Sequence, residues 1–359
     1  MEPEISIILP IRNEVAFIER TLNSILNQSY PINKFEIIIS DGMSDDGTRR
    51  IIKNYQSRYS NIFLIDNPKY IVPTGFNLAL NRARGKIIIR VDGHTIIDKN
   101  YIYSCKKALK DSEASNVGGL MNAKSDTILG QVIAIATSSK FGIGNAHFHY
   151  SQKSRYVDTV YMGAWKREVF CDIGGFDEDL IRNQDDEFNF RLIQNGKKIW
   201  LDRSIKSTYY PRNSFYNLFK QYFQYGFYKL RVMQKRNGIA SLRHLVPPGF
   251  VFGIFFCVFL YLYGLSKIPL QIYLGAYFLS NSLSVLFIII KKIKLKSMNI
   301  KLFLALLVQL PIVYFILHFS YGLGFCFAFF YFYDKWNDNS TRDDHFSKSD
   351  FEISFHKIV

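Results

Sequence analysis

The chain has 359 residues and a formal net charge of +15, with 48% apolar, 16% aromatic and 21% charged residues. That length leaves room for two domains and a sizeable core, and the apolar fraction excludes a disordered chain. Cys105, Cys171, Cys257 and Cys326 lie far apart with no C-x-x-C pair, which excludes a disulfide scaffold or a zinc finger as the organising idea and suits thiols in a reducing compartment.

The opening Met1-Glu2-Pro3-Glu4 is acidic, and the apolar run 5–9 is too short for a secretory leader, so the first part of the chain is expected on the cytoplasmic side. Residues 5–9 read as a strand closed by Pro10. Val15, Phe17, Ile18, Leu22, Ile25 and Leu26 make one apolar stripe and predict a helix over 14–28. A strand over 35–40 ends at Asp41-Gly42, and Asp46 can cap a helix over 48–59. A strand over 62–66, a helix over 73–84 stopped by Gly85, and an Ile-rich strand over 86–91 complete the pattern. Strands alternating with helices predict an α/β domain with a mostly parallel sheet.

In such sheets ligands sit beyond the carboxyl ends of the strands. Those ends are residues 10–14, 41–47 and 92–94, all polar or acidic. Neither G-x-G-x-x-G nor G-x-x-x-x-G-K-[ST] is present. An acidic strand end suits a nucleotide diphosphate only if a divalent cation intervenes. Asp92 and His94 flank Gly93, so both can face one ion, and the imidazole leans towards Mn²⁺ over Mg²⁺. Asp41 and Asp45 can accept hydrogen bonds from a base and a ribose, or can simply cap turns. Further on, Asp185, Asp186 and Glu187 open a predicted helix. Acids there complement the helix dipole, and Asp185 at the helix mouth is also placed to act as a general base.

After residue 247 the sequence reads as membrane. The segments 248–265, 268–290 and 302–333 carry no charged residue, and a span needs ~20 apolar residues. Lys229, Arg231, Lys235, Arg236 and Arg243 precede the first span, and Lys291, Lys292, Lys294, Lys296 and Lys301 follow the second. Both basic segments are therefore expected at the cytoplasmic face, against anionic headgroups. Three crossings would put the tail from 334 outside. Residues 213–234 show aromatic residues at helical spacing, which fits an interfacial amphipathic helix or a helix packed on the soluble domain. The expected organisation is thus a soluble domain over 1–212, an amphipathic linker over 213–246, about three spans over 247–333 and a polar tail over 334–359. The basic balance calls for no nucleic acid.

Together these motifs resemble family 2 glycosyltransferases of the GT-A, Rossmann-like fold. SIILPIRNE and DGMSDDGT resemble that family's two nucleotide loops, VDGH stands at its D-x-D metal motif, and GGFDE with QDDEFNFR stands at its GGFDE…ED-x-E-x-x-x-R segment. The resemblance covers residues 4–212 and lies nearest the membrane-attached, succinoglycan-type branch, whose tail HFSYGLGF resembles. His94 departs from the usual Asp, Gln184 replaces an acid, and no clear Q-x-x-R-W segment is present.

The resemblance implies an inverting transfer of a sugar from a nucleotide-diphosphate donor to a hydroxyl of a lipid-linked glycan at the inner membrane face. Asp185 would be the base. Pro10, Arg12, Glu14, Asp41, Asp45 and Asp92 would hold the donor, and Asp92 and His94 a divalent metal, Mn²⁺ or Mg²⁺. Gly163, Trp165, Asp186 and Glu187 would form the acceptor side, with Gly163 leaving room for a sugar and Trp165 stacking on it or serving the core. The alternatives are a polyprenyl-phosphate sugar synthase, whose phosphate acceptor needs no base, and a non-catalytic membrane scaffold.

Overall fold

The computed structural model describes residues 2–351 except 145, 212, 240, 297 and 350. In chain order the elements are β1 (Ile5–Ile11), α1 (Ile18–Leu26), β2 (Phe35–Asp41), α2 (Thr48–Gln56), β3 (Ile62–Asp66), α3 (Val72–Arg82), β4 (Ile87–Arg90), β5 (Thr95–Ile97), α4 (Tyr101–Asp111) and β6 (Asn116–Ala123). Then come α5 (Ile128–Thr137), α6 (Lys140–Ile143), β7 (Arg155–Tyr156), β8 (Tyr161–Lys166), α7 (Glu168–Ile173), α8 (Gln184–Gln194) and β9 (Ile199–Tyr209). The last helices are α9 (Phe215–Lys235), α10 (Val246–Leu262), α11 (Ile268–Lys294) and α12 (Ile300–Tyr331).

The chain divides into two compact units with a boundary at 209/210, beside the expected 212, but the segments 123–149 and 340–359 each group with the other part of the chain. One holds the described residues of 1–122, 150–209 and 340–359, and the other those of 123–149 and 210–339. The apolar helix α5 thus groups with the C-terminal helices, and the tail groups with the α/β domain.

The first unit is built on a mixed sheet in the order β3-β2-β1-β4-β8-β6-β9-β5, with β7 beside β9. β3, β2, β1 and β4 run parallel, and β8 enters antiparallel to β4. Every residue of β1 and β2 is buried, as expected of strands covered on both faces. Alternation assigns the faces: Ile5, Ile7, Leu9 and Ile11 join the core shared with Ile18, Leu22, Ile25 and Ile102 of α1 and α4. On the α3 side an aromatic cluster forms, with Phe76, Trp165, Phe170, Phe176 and Phe188 in mutual ring contact.

In the second unit three helical stretches, Leu242–Leu262, Ile268–Lys294 and Ile300–Tyr331, are long and apolar enough to cross a membrane. α12 is one continuous helix through Pro311, about 48 Å long at 1.5 Å per residue. The 213–234 segment forms α9, which packs along α12 in the same direction: Phe223 meets Phe327, Phe227 meets Tyr331, and Arg231 pairs with Asp338. The approach is close because it is made by glycines. A Cβ on Gly226 would stand 1.9 Å from the Tyr321 carbonyl oxygen, and one on Gly324 2.1 Å from that of Phe223. Lys229, Arg231 and Lys235 are buried in this packing. These three of the five basic residues of 229–244 thus pack inside the helical unit.

The tail, expected outside after three crossings, forms part of the first unit from residue 340. Residues 342–348 hydrogen-bond to Asn81, Asp172, Gly175, Glu178 and Asp179 of the first unit.

Candidate active site

The carboxyl ends of β1 and β2 set Asn13 and Glu14 against Asp45 and Thr48. Asp41 closes β2 and is fully buried. It accepts from Ser44 N at 3.0 Å and from Arg49 Nη1 at 2.7 Å, while Arg49 Nη2 reaches Asp66 at 2.6 Å. Asp41 therefore orients Ser44 and Arg49, and does not face a donor with open oxygens as expected. Asn13, held at φ 54°, donates to Asp45 Oδ1 at 2.9 Å and receives the Asp45 amide at 3.1 Å, which locks the β1 and β2 loops to each other. Arg12 is exposed and its guanidinium lies 4.5 Å from the centre of the Tyr70 ring. Pro10 is buried inside β1, 3.5 Å from where a Cβ on Gly75 of α3 would stand, so it packs beneath the site and does not line it.

Beyond β4 the chain turns through Asp92-Gly93-His94. The turn is pinned by Thr21 Oγ1, which donates to the Gly93 carbonyl at 2.9 Å, and a Cβ on Gly93 would stand 2.8 Å from Ile11 Cγ2. Asp92 accepts from Arg90 Nε at 2.9 Å. Burial opposes ionisation of Asp92, but the Arg90 charge, His94 and hydrogen bonds from Arg90 and Tyr161 outweigh it and hold the carboxyl below its ordinary pKa. His94 places Nδ1 2.8 Å from Glu14 Oε1, and its ring meets Tyr209 edge-on. A carboxylate on one imidazole nitrogen is the arrangement that orients the other towards a metal.

Asp185 lies in the first turn of α8, after Asn183 at φ 62°. Burial raises its pKa, the neighbouring Asp186 raises it further, and the Arg90 charge pulls the other way. Arg90, itself buried, thus feels both Asp92 and Asp185. The helix is fastened behind this turn. Arg191 pairs with Glu187 at 2.9 Å and donates to the carbonyls of Ile173 and Gly175.

The expected acceptor side divides. Asp186 stays half-buried beside Asp185. Glu187 is fully buried in its pair with Arg191, so it braces the helix and does not face an acceptor. Trp165 is 2% exposed inside the aromatic cluster, which leaves no face for a sugar. Gly163, at φ 102°, makes room for that indole: a Cβ there would stand 2.5 Å from Trp165 Cζ2. Sequence reasoning missed Arg90, Arg49 and Tyr70. Arg90 had one signal, a charged residue ending a run of three isoleucines directly before Val91-Asp92.

Known proteins share this architecture. Residues 6–173 match the family model described as glycosyl transferase family 2. The chain is 31% identical over 256 residues to a dolichyl N-acetyl-alpha-D-glucosaminyl phosphate 3-beta-D-2,3-diacetamido-2,3-dideoxy-beta-D-glucuronosyltransferase of Methanococcus voltae, covering 69% of this chain and 79% of that one. It is 28% identical over 246 residues to the succinoglycan biosynthesis protein ExoA of Rhizobium meliloti, covering 67% and 73%. Among solved structures, the mannosyltransferase PcManGT of Pyrobaculum calidifontis, in complex with GDP-Man and Mn²⁺, shares the fold with a TM-score of 0.55 at 16% identity, over 91% of this chain and 87% of that one. With a GT-A α/β domain, polar strand ends that carry D-x-H, and relatives of this kind, the chain belongs to glycosyl transferase family 2.

Proposed function

We propose that this protein is an inverting glycosyltransferase. It moves a sugar from a nucleotide-diphosphate donor to a hydroxyl of a lipid-linked glycan at the cytoplasmic face of the cell membrane, in polysaccharide assembly. The observation that carries the reading is the turn after β4, where Arg90 Nε donates to Asp92 Oδ1 at 2.9 Å and Glu14 Oε1 stands 2.8 Å from His94 Nδ1, so a carboxylate and an imidazole are held two residues apart at a strand end. The buried Asp185, whose pKa is raised by burial and by Asp186, suits a proton acceptor. The names of the relatives, which include a dolichyl-phosphate-linked acceptor and succinoglycan biosynthesis, support the acceptor class.

In the transfer, the acceptor oxygen bonds to the anomeric carbon on the face opposite the diphosphate, whose C–O bond breaks. The acceptor proton goes to Asp185, and the negative charge leaves with the nucleoside diphosphate. Arg12, Tyr70, Arg49 and Ser44 form the nucleoside end. Asp92 and His94 fit a divalent cation, Mn²⁺ or Mg²⁺, as one carboxylate and one imidazole turned by Glu14. Among the described residues no cluster of three or more His, Cys, Asp or Glu could hold an ion. When bound, the cation offsets charge on the departing diphosphate.

The apolar region leaves the first unit after Tyr209 and the chain rejoins it at Ser340. Because residues 342–348 hydrogen-bond to Asn81, Gly175 and Glu178, the reading places the tail on the same face of the membrane as the α/β domain.

The test is nucleotide release and sugar transfer by the detergent-purified chain, screened with UDP- and GDP-sugars in Mn²⁺, Mg²⁺ or EDTA. Metal-dependent turnover lost in Asp92→Ala and Asp185→Asn supports the reading. Turnover that survives Asp185→Asn points to a phosphate acceptor instead.

A further inference from the structure

We propose that the C-terminal segment 340–351 is a brace for glycosyl transfer, in which Asp343 and His345 are positioning residues for Asp185. The proposal rests on the reading of Asp185 as the proton acceptor.

The segment grips one loop, residues 174–179. Asp343 Oδ2 accepts the Gly175 N–H at 3.1 Å, and the Arg342 carbonyl accepts the Glu178 N–H at 2.6 Å. His345 donates its own amide to Glu178 Oε1 at 3.0 Å and sets Nδ1 2.6 Å from Oε2, while Arg342 reaches Asp179 at 3.2 Å. Asn81 of α3 ties the segment down from the other side, donating to the His345 carbonyl at 2.6 Å and accepting the Ser347 amide at 3.1 Å. Phe346 and Phe351 are 6% and 1% exposed, and the Arg167 guanidinium lies 4.0 Å over the Phe351 ring. These are the marks of a built-in element of the domain.

The same loop anchors the helix that carries Asp185. Arg191 Nη2 donates to the Gly175 carbonyl at 2.6 Å. The backbone of Gly175 is therefore held at its N–H by the tail and at its C=O by α8. Both glycines are needed for this. A Cβ on Gly174 would stand 2.7 Å from Asp343 Oδ2, and one on Gly175 would stand 2.5 Å from Asn77 Oδ1 and 3.1 Å from Phe346 Cβ. The donor residues lie on other elements, at the ends of β1, β2 and β4. Loosening the tail should therefore disturb the base and leave the nucleotide end alone. A general base displaced by about 1 Å can lose up to about a hundredfold in rate.

The test uses the full-length detergent-purified chain with Asp343→Ala, His345→Ala, Asp343→Asn and Asp185→Asn. Nucleotide release is followed for a UDP- or GDP-sugar that the parent turns over, affinity is measured with free UDP or GDP, and Tm is recorded. The expected result is a fall in kcat of about tenfold for Asp343→Ala, with nucleotide affinity and Tm unchanged. Asp343→Asn, which keeps an oxygen acceptor for Gly175, should restore the rate. An unchanged kcat in Asp343→Ala and His345→Ala overturns the brace. A fall in kcat matched by loss of nucleotide affinity or of Tm also overturns it, since the segment then only stabilises the domain. If Asp185→Asn retains turnover, the base assignment fails. If that variant is inactive while the tail variants are not, the brace alone fails.

Discussion

Arg90 donates Nε to Asp92 Oδ1 at 2.9 Å, and the charge on its guanidinium also reaches Asp185. One buried cation thus pairs with the carboxylate assigned to the donor and is felt by the one assigned to the proton. Removing one partner of a buried ionic cluster leaves the others uncompensated. Arg90→Gln should lower folding stability by about 3 kcal/mol, read as a lower denaturation midpoint. Arg90→Lys should recover part of the stability, because it restores the charge without the planar fork.

Asp185 has a pKa raised first by burial and then by Asp186. A carboxyl whose folded pKa stands above its unfolded value contributes its stability below the unfolded pKa and loses it as pH rises through the folded one. At neutral pH the ionised group therefore opposes folding. Asp185→Asn should raise Tm at neutral pH while abolishing transfer, and the gain should vanish in acid below the unfolded carboxyl value. In the parent protein, the acid limb of kcat against pH should sit higher than an ordinary carboxylate would place it.

Trp165 is assigned here to the core. Trp165→Ala should cost about 3–5 kcal/mol of stability through the cavity it leaves among Phe76, Phe170, Phe176 and Phe188. Trp165→Phe should leave acceptor KM unchanged once folding is matched. A raised acceptor KM in the Phe variant would return Trp165 to the acceptor side.

The bonds of residues 342–348 to Asn81, Gly175 and Glu178 predict that the tail and the α/β domain share one face of the membrane. Reporter domains fused before residue 2 and after residue 359 should score on the same face of the membrane, and protease added to sealed vesicles should reach both or neither. Reporters on opposite faces would require an odd number of crossings.

The parallel half of the sheet was legible because it is local. β1, β2 and β4 are short apolar runs, and the candidate site residues Arg12, Asp41 and Asp92 stand where each run stops. Asp185 was legible as an acid at a helix start. Trp165, Gly163 and Glu187 were misplaced because their surroundings come from distant segments: the partners of Trp165 lie on α3, α7 and α8, and no spacing near residue 165 announces them. β5 and β7 are only three and two residues long, the β6–β8 register shifts, and the antiparallel strands pair with partners far along the chain. The tail was read as polar and external because three crossings after a cytoplasmic start would put it there. Its Arg342, Asp343 and His345 find their partners more than 160 residues away.

The most direct measurement pairs donor affinity with single-turnover transfer in Asp92→Ala and Asp185→Asn, each against the parent. The account predicts a split. Asp92→Ala weakens donor binding, while Asp185→Asn binds donor as the parent does and loses transfer by about 10²–10⁴-fold, the range of a positioned general base. Equal losses of binding and transfer in both variants, or transfer that persists in Asp185→Asn, would contradict it.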